Sequence, residues 1–346
     1  MPPIDSAAPR PGFSRDDLFE LMAIGVLAPV AWLLPERLWP RAGHVVSRAI
    51  ASFWPAITRT RVTTLAEALR GRAIDLDVHG LRVAILDGYM EERLEILRAH
   101  RPDGWRPRLR LLGREHIGAA LAAGRGAVLW TAPFSHADLV IKMALAQAGL
   151  ATSHLSASSR GFSPNACFQR RPSRFGMRVL SPLRTRVEDR WLHTRITMPD
   201  DGSLAYTRQI DRRLRENGLV SIRAGDHGQR AVEVPFLAGT VQLATGAPSL
   251  ALASDAPLLP VFSLQTAPGA YDVVVEPPLA EQVPVGRAGA RDRHQRVDAL
   301  ARAYARLLER HVLRRPQDWS GWYTMRLAAT RGTASAAAPD TARQAV

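Results

Sequence analysis

The spacing of hydrophobic positions changes along the chain, and these changes predict where helices and strands lie. Between residues 81 and 97 apolar side chains recur three to five positions apart, which predicts a helix with one buried face. Residues 127–132 form a short apolar run typical of a buried strand, and residues 138–148 return to helical spacing. Further strands are predicted at 179–180, 195–198, 219–223, 232–236, 258–264 and 272–275, and further helices at 116–123, 203–216, 240–254 and 292–312. This alternation predicts an α/β fold with a mostly parallel central sheet and helices on both faces.

The two ends of the chain differ from this alternating region. Residues 1–14 are rich in proline and irregular, and residues 327–346 are small and polar, so both ends are predicted to be disordered. Residues 15–60 are predicted to form an apolar, membrane-associating helical segment. The α/β domain is then expected to occupy residues 61–326.

The apolar segment contains fifteen uncharged residues at positions 21–35. A bilayer-spanning helix needs about 20, and acidic residues precede the run where a secretory signal would carry basic ones. A shallow interfacial segment is expected, with Trp32 and Trp39 at the depth of the headgroups and lipid phosphate meeting Arg37, Arg41 and Arg48. A core helix packed under the fold is the alternative.

The charge of the chain is carried almost entirely by arginine. Lysine and arginine number 46 against 32 acidic residues, a net charge of +14, and Lys142 is the single lysine. Guanidinium groups favour anionic partners such as nucleic acid, a membrane surface or a phosphorylated small molecule. The basic residues are dispersed, and the chain has no helix-turn-helix or zinc-finger pattern, so we expect no nucleic-acid partner.

Several kinds of chemistry are disfavoured by what the sequence lacks. A single cysteine, Cys167, excludes an internal disulfide and a multi-thiolate metal site. There is no metal-ligand spacing, no phosphate-binding GxxxxGK[ST] loop and no GxSxG nucleophile elbow. The sequence therefore predicts no metal and no cofactor, and argues against nucleotide hydrolysis and α/β-hydrolase chemistry.

The strongest candidate site is the turn between the strand at 127–132 and the helix that follows it. His136 and Asp138 lie in this turn, at the edge of an α/β sheet where ligands usually bind. An imidazole beside a carboxylate can act as a general base, with the acid orienting the ring. The alternative is a helix cap at Asp138 and an ordinary polar loop residue at His136.

Two further segments carry candidate binding residues. A basic loop contains Arg160 and Arg174, which are candidates for binding a phosphate; a solvated surface loop is the alternative. Asp226 and His227 lie between glycines after the strand at 219–223, where the backbone can approach a ligand closely. A hairpin turn leading into the next strand is the alternative there.

The order of these segments resembles that of the lysophospholipid acyltransferase superfamily, specifically the lauroyl/myristoyl branch that acts in lipid A biosynthesis. The resemblance runs from the apolar N-terminal segment to about residue 326 and is carried by residues 113–129, 226, 232–239, 257–262, 271–279 and 315–326. The family uses a His-x-x-x-x-Asp/Glu motif in which histidine deprotonates the acceptor hydroxyl. Aligned on Thr131 and Ala132, the acid falls at Asp138 and Pro133 stands in the place of the histidine.

This departure leaves two interpretations. Either His136 has become the base, with Asp138 as its partner, or the site has lost hydroxyl deprotonation and the chain is a lipid- or acyl-carrier-binding protein. The resemblance implies an acyltransferase that uses an acyl thioester on acyl carrier protein or coenzyme A and a lipid or phosphorylated acceptor. It also implies a peripheral or monotopic position at the cytoplasmic face of the inner membrane. Arg160, Arg174 and Asp226 are then the expected substrate-binding residues.

Overall fold

The computed structural model describes residues 11–51, 56–157, 173–199, 203–226, 230–282 and 290–329. The helices are α1 (Arg15–Leu33), α2 (Trp39–Ala51), α3 (Ala56–Arg70), α4 (Val78–Arg98), α5 (Arg114–Ala122), α6 (Ala137–Gln147), α7 (Ser181–Asp189), α8 (Ala205–Arg215), α9 (Gly246–Ala253), α10 (Ala290–Arg314) and α11 (Gly321–Thr324). The strands are β1 (Arg108–Leu112), β2 (Ala127–Thr131), β3 (Thr152–Ala157), β4 (Thr194–Met198), β5 (Leu219–Arg223), β6 (Ala231–Phe236), β7 (Gly239–Ala244), β8 (Leu258–Ala267), β9 (Ala270–Val275) and β10 (Leu327–Ala329). Short 3-10 helices lie at Glu36–Leu38, Leu279–Gln282 and Pro316–Asp318.

Seven strands form the central sheet, in the order β1-β9-β8-β2-β5-β3-β4. All neighbouring pairs are parallel except β8 and β9, which form a hairpin. Helices cover both faces of the sheet, so the predicted α/β fold with a mostly parallel sheet is confirmed. The side chain of Trp130 in β2 stacks on Tyr304 of α10 at 4.0 Å between ring centroids, which marks the face that α10 covers. Because β2, β3, β5 and β8 run parallel to one another, their carboxyl ends lie at the same edge of the sheet.

A second sheet of three antiparallel strands, β10-β7-β6, corrects two predictions. The helix predicted at 240–254 is split, because residues 239–244 form β7 and the helix α9 begins at Gly246. Burial alternates along β7, with Val241 and Leu243 inside, which is the pattern of a half-buried strand. At the other end, Leu327 pairs with Val241. Leu327–Ala329 thus form a strand where the disordered tail was predicted to begin.

A third prediction is wrong at Val179 and Leu180, which were expected to form a strand. They lie in a π-helical turn, Gly176–Leu180, that continues directly into α7. Two apolar residues in sequence fit a strand and a helical turn equally well, so the short run could not decide between them.

The N-terminal region is a group of helices packed on α4. Helix α1 begins with a capping box, in which Ser14 and Asp17 satisfy each other's backbone amides, and α1, α2 and α3 all contact α4. The segment before α1 contacts the domain, since Gly12 O accepts a hydrogen bond from Phe175 N at 3.0 Å. Within the described ranges, no helix has both the length and the apolar character to cross a membrane.

The two tryptophans that were expected at a membrane surface have different environments. Trp39 is buried, with 4% of its surface exposed, and therefore does not face a headgroup region. Trp32 is 45% exposed while its indole N–H donates to Leu97 O at 3.0 Å. Only Trp32 remains available for an interfacial role.

Candidate active site

The turn that joins β2 to α6 is held in place by the C-terminal segment of the domain. Ser135 N donates to Asp318 O at 2.7 Å, and Ser320 N donates to Pro133 O at 2.8 Å. His136 caps the start of α6 with a positive φ of 65°, a conformation that costs energy for a residue other than glycine. The turn is buried from residue 132 to residue 138. Its backbone is therefore fixed by the fold around it.

The imidazole of His136 is buried and bonded to a carboxylate from α4. Its Nδ1 lies 2.8 Å from Glu95 Oε2, its Nε2 lies 3.9 Å from Glu91 Oε2, and only 3% of the side chain is exposed. The hydroxyl of Tyr271 donates to the other oxygen of Glu95. The sequence interpretation made Asp138 the partner that orients this ring. The structure corrects it, because the carboxylate that holds Nδ1 is Glu95.

The charge of this ring follows from its neighbours. Burial by itself would lower the pKa of His136, but the carboxylates of Glu95, Glu91 and Glu92 outweigh it and raise the pKa to about 9. The ring is therefore a cation at neutral pH, and both of its nitrogens carry hydrogen. It can act as a base only after it loses a proton that these carboxylates hold on it.

Asp138 belongs to a different group of charges. Its Oδ2 accepts hydrogen bonds from Arg184 Nη2, at 2.8 Å, and from Arg223 Nη1. Arg184 is 1% exposed and also reaches Glu188 and Glu92, at 2.6 Å and 3.3 Å. We call this group the Arg184 cluster; its members are Glu92, Asp138, Lys142, Arg184, Glu188, Arg195 and Arg223.

A cavity of about 570 Å³ opens at the carboxyl ends of β2, β3 and β5. This volume lies in the range of small-molecule binding sites. Its apolar wall contains Trp130, Leu155, Ile222, Ala247, Leu250 and Val297. Its basic side chains are Arg223, Arg230, Arg293 and His294. Arg223 is thus shared by the cavity and the Arg184 cluster, whereas the described lining residues do not include His136 or Asp138.

The three substrate-binding candidates from the sequence differ in their position relative to the cavity. Arg174 is exposed and precedes the π-helical turn; its backbone N–H donates to Pro11 O at 2.9 Å. Asp226 follows Gly225, which lines the cavity, and its Oδ2 lies 3.7 Å from Arg326 Nε. Arg160 lies outside the described residues. The structure thus places Asp226 near the cavity and gives Arg174 no contact with it.

Sequence reasoning missed Glu95, Arg184 and Arg223. A weak signal for Glu95 existed, since Glu91 and Glu95 stand one helical turn apart inside the apolar stretch that became α4. A similar signal marked Arg223, a charged residue ending the otherwise uncharged strand β5. In the part of the chain that the structure describes, no three His, Cys, Asp or Glu side chains are grouped to hold a metal ion.

A sequence profile of one protein family, described as bacterial lipid A biosynthesis acyltransferase, matches residues 89–327. This range is well over half of the chain and includes β2, the turn with His136, α6 and every strand that borders the cavity. No curated protein matches the chain.

Proposed function

The chain belongs to the bacterial lipid A biosynthesis acyltransferase family, and from this premise we propose that it moves a fatty acyl group from an acyl thioester to a hydroxyl. The thioester is carried by acyl carrier protein or coenzyme A, and the hydroxyl belongs to a lipid or a phosphorylated acceptor. The observation that carries the proposal is the cavity at the carboxyl ends of β2, β3 and β5. Its apolar wall suits an acyl chain, and its basic side chains suit the anionic groups of donor and acceptor.

In this proposal the acceptor hydroxyl attacks the carbonyl carbon of the thioester. The hydroxyl proton passes to a base, the C–S bond breaks, and the leaving thiolate then takes this proton from the base to become the free thiol. His136 is that base, and Glu95 fixes the ring through Nδ1 so that Nε2 receives the proton. Asp138 contributes indirectly, because it fixes Arg223 at the edge of the cavity.

Three other residues support substrate binding in this proposal. Arg174, which is exposed, and Arg160 bind phosphate, and Asp226 holds the acceptor or the loop next to the cavity. The net charge of +14 suits an acidic carrier protein as donor.

The pH dependence of transfer tests His136 as the base. Because the base must be deprotonated and the pKa of His136 is about 9, kcat/KM should rise about tenfold per pH unit from about pH 6 to pH 8 and level off near pH 9. The measurement uses purified protein, labelled lauroyl thioester and membrane lipid, with the protein-free rate subtracted at each pH.

Glu95→Gln is the matched variant for this experiment. It keeps an oxygen that accepts from Nδ1 but removes the charge that holds the proton, so the rise should move to lower pH by one unit or more. A profile that is flat for the wild type, or unmoved in Glu95→Gln, would remove His136 from the reaction.

A second candidate function is binding of the acyl thioester without turnover. The position of His136 favours it, because the ring is protonated, 3% exposed and absent from the described lining of the cavity, while Pro133 stands in the family's histidine position. In the same assay this candidate predicts stable binding of the thioester and no labelled lipid at any pH.

We further propose that the protein works at the cytoplasmic face of the inner membrane, bound through α1. Leu18, Met22 and Val26 lie four positions apart, and each is more than half exposed. Leu33 is 80% exposed at the end of the same helix. The nearby exposed arginines that can meet lipid phosphate are Arg37, Arg41 and Arg48.

Charge placed on this face should release the protein from lipid. Met22→Glu combined with Val26→Glu should weaken binding to anionic phospholipid vesicles at least about tenfold, because two apolar side chains leave the interface. Vesicle sedimentation measures this. Val179→Glu, at an apolar position outside α1 that is 45% exposed, is the control and should bind like wild type. Equal binding by all three proteins would rule out α1 as the membrane contact.

A further inference from the structure

The side chain of Arg223 is less exposed than those of the other basic residues that line the cavity. Its side chain is 18% exposed, against 41% for Arg230, which is paired with Asp298 at 2.8 Å. Arg223 ends β5, next to Ile222 in the apolar wall. Arg223 is therefore the cation at the point where the apolar wall meets the buried charges.

Not all N–H groups of the Arg223 guanidinium are used in hydrogen bonds to described residues. Its Nη1 donates to Asp138 Oδ2 and its Nη2 to Ser320 Oγ at 3.1 Å, and these are its side-chain hydrogen bonds within the described ranges. A guanidinium carries five N–H groups. Three donors thus remain on a side chain that lines the cavity.

Arg223 also shares its carboxylate partner with a second cation. Asp138 Oδ2 accepts hydrogen bonds from both Arg223 Nη1 and Arg184 Nη2, so this carboxylate is not bound by Arg223 alone.

We propose that Arg223 binds the carboxyl-end oxygen of an acyl chain whose hydrocarbon part lies along the apolar wall of the cavity. This assignment rests on the proposed function, in which the cavity binds the acyl chain. During transfer the N–H groups of Arg223 face the thioester carbonyl, whose oxygen gains negative charge. A fatty-acid carboxylate is a stable ligand with the same anionic oxygen on the same chain. A long-chain carboxylate is therefore the ligand class of this site.

Binding of three probes with the same twelve-carbon chain tests the proposal: laurate, methyl laurate and dodecyl phosphate, each below its micelle concentration. The full chain should bind laurate more tightly than methyl laurate. Arg223→Met should lose about tenfold or more of its affinity for laurate and less than threefold for methyl laurate, because only laurate brings a charge to the guanidinium. Arg125→Met, at a half-exposed arginine outside the described lining of the cavity, is the control and should change both affinities less than threefold.

The variants remain interpretable if stability changes. In Arg223→Met the carboxylate of Asp138 keeps Arg184, and Arg223→Lys keeps the positive charge, so Arg223→Lys should retain part of the preference for laurate. Equal losses for laurate and methyl laurate in Arg223→Met, or no loss, would overturn the assignment. Dodecyl phosphate bound as tightly as laurate would also overturn it, since the site would then bind a phosphate headgroup. No acceptor is present, so absence of acyl transfer leaves these binding results unaffected.

Discussion

Replacing His136 by alanine is expected to lower the free energy of unfolding by about 3–5 kcal/mol at pH 6.5. The variant leaves Glu95 buried, 2% exposed, with the hydroxyl of Tyr271 but without its cation. Removing one partner of a buried ion pair costs this much because the other charge remains uncompensated. Urea denaturation followed by circular dichroism measures the change.

The charge of Glu95, not the lost ring, should cause most of this effect. His136→Ala combined with Glu95→Gln should therefore recover much of the lost stability, since no buried charge is left unpaired. His44→Ala is the matched control: it also breaks a His–carboxylate contact, 3.0 Å to Asp87, but the ring is 51% exposed and the loss should stay below about 1 kcal/mol. Similar losses in the single and double variants would contradict the explanation.

The same pair makes stability depend on pH in a defined direction. The folded-state pKa of His136, about 9, lies above the ordinary value of 6.5. A raised histidine pKa stabilises the fold fully below the unfolded value, and this contribution is lost as the pH rises through the folded value. The difference between wild type and His136→Ala should therefore be largest at or below pH 6.5 and should shrink towards pH 9.

Replacing Arg184 by methionine is the second large effect, also about 3–5 kcal/mol. Arg184 is 1% exposed and binds three buried carboxylates, Glu92, Asp138 and Glu188. Methionine is apolar and of comparable length, so the packing changes little while three carboxylates lose a shared cation. Asp138 would keep Arg223, and Glu188 would keep Lys142, which limits the loss to this range.

Arg125→Met provides the comparison for Arg184. Arg125 pairs with Asp255, but the two side chains are 50% and 84% exposed, so this change should alter stability by less than about 1 kcal/mol. Arg184→Lys should lie between the two, because lysine keeps the charge and loses the planar fork. If Arg184→Met were as stable as Arg125→Met, the Arg184 cluster would not hold the site together.

The sheet could be predicted largely from the spacing of apolar residues, and its two missed strands show the limit of that signal. β1 is at the edge of the sheet, and its apolar positions alternate with arginines and are only half-buried. β3 is buried but contains Thr152, Ser153, His154 and Ser156. Part of this polarity is satisfied across the sheet, since His154 Nδ1 lies 2.8 Å from Ser221 Oγ. Local hydrophobicity does not reveal such cross-strand bonds.

The position of His136 and Asp138 in the turn after β2 was predictable, but their partners were not. The strand-to-helix turn indicated His136 and Asp138, and both are buried there. Their partners come from elsewhere in the chain: Glu95 is 41 positions from His136, and Arg223 is 85 positions from Asp138. Two residues apart at the start of α6, His136 and Asp138 point to different groups of charges. Sequence spacing cannot predict contacts that depend on how α4, α7 and β5 pack around one turn.

The most direct test is a nuclear magnetic resonance titration of His136 in the full chain. The protein is labelled at its histidine rings, and the His136 signals are assigned by their loss in His136→Asn. We expect both ring nitrogens to carry hydrogen at pH 7 and the midpoint of deprotonation to lie at about 9. A midpoint at or below the ordinary value of about 6.5 would contradict a ring held as a cation by Glu95 and Glu91.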